Sequence, residues 1–433
     1  MRIIQLMPGA GGTFYCDNCI RDAGLLRALR RQGHDALSVP LYLPPQLEGL
    51  DAEATAPIFF GGINVYLQQT LGLFRRTPRW LDRLLDAPPL LRWAARRAGM
   101  TRATTLARTT ISMLRGEDGR QVKELDRLVA WLAAEQRPHV VCLSNALLLG
   151  LARRIKQALD CPVLCLLQDE DIFVDGFPEP WRAQTWQVMA ERARDVDAFV
   201  AVSHYYAGLL RQRLDLPAER VHVVYSGISA EDYQPAAAAP DPPVVGFLER
   251  MCPEKGLDVL VEAFIRLKAR PELARLRLRA GGGWTSGDRR YLREIRRRLF
   301  QAGVADDVEG LPNLDREERI EFLRSLSVLS VPARHPEAFG MYVLEALAAG
   351  VPVVLPRRGA FPELVEATGG GLLCEPDDAG SLAAAIAELL LDPERARQLG
   401  ERGRQAVLER FTIDRAAGDF AQVCRQVVDP NPG

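Results

Sequence analysis

His335-Pro336-Glu337-Ala338-Phe339-Gly340-Met341-Tyr342-Val343-Leu344-Glu345-Ala346-Leu347-Ala348-Ala349-Gly350-Val351-Pro352 sets the architecture of the second half of the chain. Upstream, Leu326 to Val331 alternates small and β-branched residues as a buried strand does; downstream, Gly350 and Pro352 stop a helix before the apolar run Val351 to Leu355. The order is strand, loop, helix, strand. It puts the loop at the carboxyl edge of a parallel sheet, where open α/β folds bind ligands, and Gly340 lets a ligand come close to the backbone. The first N–H groups of the helix, Gly340 to Tyr342, form an anion site. Glu337 and Glu345, separated by seven residues, set two carboxylates beside it. A ligand with both hydroxyls and phosphate suits them, and a nucleotide sugar has that composition.

Working outward, the same alternation runs through both halves. Strands are predicted at Arg2 to Met7, Asp35 to Leu41, His139 to Leu143, Val163 to Leu167, Ala198 to Val202 and Val221 to Tyr225, with helices such as 22–31, 122–134 and 186–194 between them. The alternation restarts after the proline-rich stretch Gln234 to Pro243: strands 244–248, 276–280, 308–310 and 326–331, helices 256–269, 288–301 and 317–325. The alternation predicts an α/β chain of two similar domains with a cleft between their carboxyl edges: 1–229 with an arginine-rich insertion at about 45–120, a linker at 230–243, a second domain at 244–413, and a final helical stretch at 414–433.

Bulk composition agrees. At 433 residues, 48% hydrophobic and 26% charged, the chain is a globular protein too long for one core. A net charge of -1 argues against a general nucleic-acid binder. No apolar run approaches the roughly 20 residues of a membrane helix, and Met1 to Gln5 enters a strand, so the expected location is the cytoplasm. The insertion is the exception to the even charge. Between Phe74 and Arg115 stand ten arginines against Asp82 and Asp86, interleaved with Trp80, Leu84, Leu90 and Trp93. That segment reads either as a solvated arginine face or as a peripheral contact with anionic lipid at the inner face of the membrane.

Arg250 and Lys255 follow the first strand of the second domain. Lysine is scarce, four among 55 basic residues, and this pair can neutralise a diphosphate without a metal. The loop from Arg250 to Lys255-Gly256, the Gly281-Gly282-Gly283 turn, the Glu337/Glu345 loop and helix, and Gly359-Ala360-Phe361-Pro362-Glu363 together resemble the donor domain of glycosyltransferase family 4, which implies the GT-B fold: two Rossmann-like domains facing a central cleft, with the final helix at 414–433 returning to the first. The resemblance covers the second half; the first half matches more loosely through Gly11-Gly12, Gly33-His34-Asp35 and Val202-Ser203-His204.

The resemblance implies a retaining glycosyltransferase that moves a sugar from a nucleoside-diphosphate donor, without cofactor or metal, to a glycan or lipid-linked acceptor. Glu337 would then bond the sugar near the reacting carbon, Glu345 the ribose, and Arg250 with Lys255 the diphosphate. Backbone groups at Phe339, Gly340 and Met341 complete the sugar and phosphate contacts, those at Gly310 and Leu311 face the base, and Gly12 approaches the phosphate. Two alternatives stay open: a non-catalytic nucleotide-sugar or membrane-surface protein, and a nucleotide-sugar epimerase.

Three further motifs are singled out. Gln168-Asp169-Glu170-Asp171 ends a strand; Gln168 or Asp169 stands where many family members have a histidine against the sugar, and Asp169 or Asp171 is a candidate for positioning the acceptor hydroxyl. Cys16 and Cys19 at a helix start read as packing or as a redox or metal pair, although no second close Cys/His pair accompanies them. Phe59 to Tyr66 reads as an aromatic acceptor loop or as a buried strand.

Overall fold

A computed structural model describes residues 1–8, 17–41, 60 and 103–429, with side chains from residue 21 onward in the second stretch. Gly12, Cys16, the Cys19 side chain, residues 61–66 and 74–102 therefore lie outside the described residues. The chain divides into two compact units, Met1–Tyr225 with Ala416–Gly433, and Ser226–Arg415.

The first unit holds strands β1 (Arg2–Met7), β2 (Asp35–Pro40), β3 (Val140–Leu143), β4 (Val163–Leu167), β5 (Ala198–Ala201) and β6 (Val221–Val223). They form one parallel sheet in the order β2-β1-β3-β4-β5-β6. Ile3 pairs with Ala36 on one side and Val140 on the other. β3, β4 and β5 are buried along their whole length, as strands covered by helices on both faces must be. The final helix, Ile413–Val428, contributes Ala417, Phe420, Ala421 and Cys424 to this unit's buried residues. Of the arginine-rich insertion, the described part includes the helix Ala103–Leu114. Its Ala107, Ile111 and Leu114 are buried and it packs on the helix Trp181–Ala193, while Leu106 and Arg108 on its other face are exposed.

The second unit repeats the plan with β7 (Val244–Leu248), β8 (Arg277–Gly281), β9 (Val308–Leu311), β10 (Val328–Leu329), β11 (Val353–Pro356) and β12 (Gly371–Cys374). Their order is β12-β11-β10-β7-β8-β9, again parallel. Strand order reverses at β7, which lies between β8 and β10. A crevice outside the carboxyl ends of strands at such a reversal is where doubly wound sheets bind ligands. The loop after β7 carries Arg250 and Lys255; the loop after β10 carries Glu337.

The stretch 230–243 departs from a free tether. Ala230 and Tyr233 are buried, and Arg404 donates to the Tyr233 carbonyl, so its first residues belong to the second unit's core. A composition rich in proline shows where helix and strand stop, but not whether an aromatic inside it finds a pocket.

Candidate active site

At the reversal of the second sheet, Lys255 Nζ donates to Glu337 Oε1 at 2.7 Å and lies 3.5 Å from Glu249 Oε2. One ammonium thus stands between two carboxylates from two loops. Backbone and side-chain bonds hold the loops in place. The Arg334 N–H donates to the Glu254 carbonyl at 2.8 Å, and the Arg334 guanidinium forks onto Asp258 at 2.6 and 2.7 Å. Gly256 closes the turn after Lys255 with φ +73; a Cβ there would come within 2.0 Å of the Pro332 carbonyl oxygen, so only glycine fits. On the other side, Ala360 N–H donates to the Glu337 carbonyl at 3.0 Å, which makes the Gly359-Ala360-Phe361-Pro362 turn the support of Glu337.

The Asp258–Arg334 clamp has a pH signature. Burial alone would raise the Asp258 carboxyl, but hydrogen bonds from Arg334 and the Tyr291 hydroxyl outweigh it and hold the group below its ordinary value. A carboxyl depressed in the folded state gives stability that is present above its unfolded value of about 4 and is lost as pH falls through the folded one. Arg334→Gln is therefore expected to lower stability at neutral pH and to shrink the loss below about pH 4. Denaturant titrations of both proteins from pH 7 to 3 check this; parallel curves would contradict it.

Arg250 lies on the same loop, half exposed, with Nη2 at 3.2 and 3.3 Å from the Asp288 carboxylate. Asp288 is buried and closes a capping box, accepting from Thr285 N at 2.7 Å and Thr285 Oγ1 at 2.6 Å. Burial would raise this carboxyl too, yet the Thr285 bonds and Arg250 hold it low.

The helix Met341–Ala348 starts at Gly340, φ +99, and all its residues are buried. Phe339 and Met341 are 5% and 9% exposed, which leaves mainly their backbone for a ligand. Glu345 is 7% exposed. Its Oε1 accepts from the Tyr233 hydroxyl at 3.0 Å and its Oε2 from Arg319 Nε at 3.1 Å, with Arg319 Nη2 on the same oxygen. Burial pushes the Tyr233 hydroxyl well up, with the Glu345 charge adding to it, so Tyr233 stays a donor. Gly310 and Leu311 end β9, where the Leu311 carbonyl accepts from Gly282 N–H at 3.1 Å, beside the triple-glycine turn.

In the first unit, Gln168, Asp169 and Asp171 follow β4. Asp169 turns the chain at φ +57 into the short helix Glu170–Asp175. Asp171 is buried, not a solvated loop carboxylate, and meets the Tyr206 hydroxyl at 2.9 Å. The residue that organises this edge is Glu170, which sequence reasoning passed over. It accepts from Ala146 N at 2.8 Å, Gln168 N at 2.7 Å and Tyr206 OH at 2.7 Å, and burial raises its carboxyl despite those bonds. One carboxylate thus ties together the ends of β3 and β4 and the helix His204–Leu214. His204 opens that helix behind the Ser203 cap and lies edge-on to Tyr225.

Asp288, Tyr233, Arg319 and Arg334 were likewise not anticipated. Thr285-x-x-Asp288 is a capping-box signature and was open to reading; the other three act on residues far along the chain and leave no local sign.

Residues 229–406 match the family model described as glycosyl transferases group 1, and residues 93–232 match that of Glycosyltransferase Family 4. This chain belongs to glycosyltransferase family 4. Among curated family 4 relatives, it is 30% identical over 225 residues to the GDP-mannose-dependent alpha-(1-6)-phosphatidylinositol monomannoside mannosyltransferase of Mycobacterium tuberculosis, covering 48% of this chain and 57% of the relative. It is 32% identical over 219 residues to the D-inositol 3-phosphate glycosyltransferase of Jonesia denitrificans, covering 47% and 51%. The chain spans about half the length of the curated relatives it matches. Among solved structures, Anabaena HepE in complex with UDP aligns with TM-score 0.68 at 18% identity over 98% of this chain and 99% of that one. Sucrose-phosphate synthase from Thermosynechococcus elongatus aligns with TM-score 0.71 at 20% identity over 100% of both. These likenesses show the fold, two Rossmann-like α/β units of the GT-B type.

Proposed function

We propose that this family 4 chain moves a sugar from a nucleoside-diphosphate sugar to a hydroxyl of a glycan or lipid-linked acceptor in the cytoplasm, with retention of configuration. The observation that carries the reading is the 2.7 Å contact of Lys255 with Glu337 at the strand-order reversal, in the loop that leads into the Met341–Ala348 helix. In the reaction the bond from the anomeric carbon to the diphosphate breaks, the acceptor oxygen bonds to that carbon on the same face, and the acceptor proton goes to the departing diphosphate. Negative charge grows on the leaving group. Lys255, Arg250 and the helix-start N–H groups are fixed donors for that charge, a task that needs no metal.

Each remaining residue has a part in this reading. Glu337 takes sugar hydroxyls, and Glu345 takes the ribose with the lone pairs left after Tyr233 and Arg319. Arg250 exchanges Asp288 for phosphate, and Gly310 and Leu311 meet the base. Gln168, Asp169 and Asp171, positioned by Glu170, are the candidates for contact with the acceptor. The relatives named for GDP-mannose and for inositol 3-phosphate make those compounds the first donor and acceptor to try, with UDP-sugars second.

Donor binding tests the reading. Calorimetry with GDP, UDP, ADP and their sugars is expected to find at least one ligand, and Arg250→Ala with Lys255→Ala to weaken it by about 100-fold, as losing two charged bonds should. The absence of binding by every nucleotide at millimolar concentration, or undiminished binding by the double variant, would refute it.

A further inference from the structure

The helix Arg289–Gln301 carries six arginines and one acid, Glu294. At 100° per residue, Arg289, Arg290, Arg293, Arg296, Arg297 and Phe300 fall within an arc of about 120°, while Ile295 and Leu299 point the other way. The solvent exposures follow that division. All five arginines are exposed and Phe300 is 78% exposed, whereas Ile295 and Leu299 are 6% and 5% exposed. Glu294 is engaged by Arg297 at 2.6 Å and Arg298 at 3.3 Å, so it does not neutralise the stripe's centre. Arg290, Arg293 and Arg296 make no ion pair among the described residues. At the helix's other end Trp284, 40% exposed, lies 5.9 Å from the Arg289 guanidinium.

We propose that this helix face is a docking surface for an anionic lipid bilayer. A chain of net charge -1 that concentrates cations on one helix face has built a local field, and a flat anionic surface is its complement. Phe300 selects lipid over a soluble polyanion. A fully presented phenyl ring at the edge of an arginine stripe costs solubility in water and gains about 25 cal/mol per Å² when it enters the headgroup boundary. Trp284 supplies a second amphipathic ring of the kind that settles at that depth. The helix is about 20 Å long, enough for the five arginines to reach several lipid headgroups at once. None of this depends on the glycosyl-transfer reading.

Sedimentation of the full-length protein with vesicles of phosphatidylcholine containing 30% phosphatidylglycerol, against pure phosphatidylcholine, tests it. Binding is expected to the anionic vesicles only, to fall steeply with salt, and to drop at least about tenfold in Arg290→Glu/Arg293→Glu/Arg296→Glu. Phe300→Ser is expected to lower it several-fold at fixed salt. Thermal unfolding confirms that both variants are folded; because all four residues are exposed, the midpoint should stay near wild type. Equal binding by the triple variant, or no binding by wild type, would overturn the proposal. Binding of a single-stranded oligonucleotide as tightly as the vesicles, with Phe300→Ser without effect on vesicle binding, would also overturn it and assign the stripe to a soluble polyanion.

Discussion

Glu337→Gln is expected to lower donor turnover by about 10²- to 10³-fold while nucleoside diphosphate affinity stays within about threefold of wild type. The substitution keeps the shape of the side chain and removes its charge. Lys255 then loses the carboxylate that fixes its ammonium at 2.7 Å and is left with Glu249 at 3.5 Å. In the proposed reaction, charge at the anomeric carbon and the diphosphate changes only on the way to the transition state, so a group placed between them matters more for rate than for binding. The backbone of residue 337 stays in place because its carbonyl is held by Ala360. Single-turnover consumption of donor and calorimetry with the diphosphate separate the two effects. Weakened diphosphate binding with turnover intact would undo this assignment.

Arg319→Met is expected to destabilise the protein by about 3–5 kcal/mol, because it removes one partner of a buried ion pair and strands the other. Glu345 and Arg319 are both 7% exposed, and Tyr233 alone would remain to solvate the carboxylate. At roughly 2–4 °C per kcal/mol for a unit of this size, the melting midpoint should fall by on the order of 10 °C. Arg319→Met combined with Glu345→Met should recover most of that loss, since two packed apolar side chains replace two buried charges. Donor affinity should not recover with it if Glu345 holds the ribose. Thermal unfolding of the single and double variants, with a donor titration of the double, reads both outcomes. A loss below 1 kcal/mol in the single variant would contradict the buried-pair argument.

How much of this could be read in the sequence depends on what each residue responds to. The strands at 2–7, 163–167, 198–201 and 244–248 are short apolar runs bounded by polar or glycine-rich segments, and local pattern is enough for them. β12 was missed because Gly369-Gly370-Gly371 reads as loop, and because an edge strand needs no continuous apolar run; Gly371, Leu372 and Leu373 are only half-buried. The site divides along the same line. Glu337, Glu345, Arg250 and Lys255 stand in a strand-loop-helix context that gives them away. The partners of Glu345 do not, since Arg319 lies 26 residues from it and Tyr233 lies 112, and the pairing of Lys255 with Glu337, 82 residues apart, leaves no local sign either. Tyr233 was further hidden by a proline-rich setting that suggests solvent. At Gln168-Asp169-Glu170-Asp171 four polar residues in a row offer no period, and the positive φ of Asp169 helps turn Glu170 inward.

The most direct measurement is nucleoside diphosphate release from GDP-mannose and UDP-glucose, with and without inositol 3-phosphate or cell-envelope extract, by wild type and by Glu337→Gln. Wild type should release diphosphate from at least one donor, faster with acceptor present, and yield a glycoside with the donor's own anomeric configuration. Glu337→Gln should release it at least about 100-fold more slowly. Equal release by the two proteins, or a product of inverted configuration, would show that the chemistry does not lie where Lys255 meets Glu337.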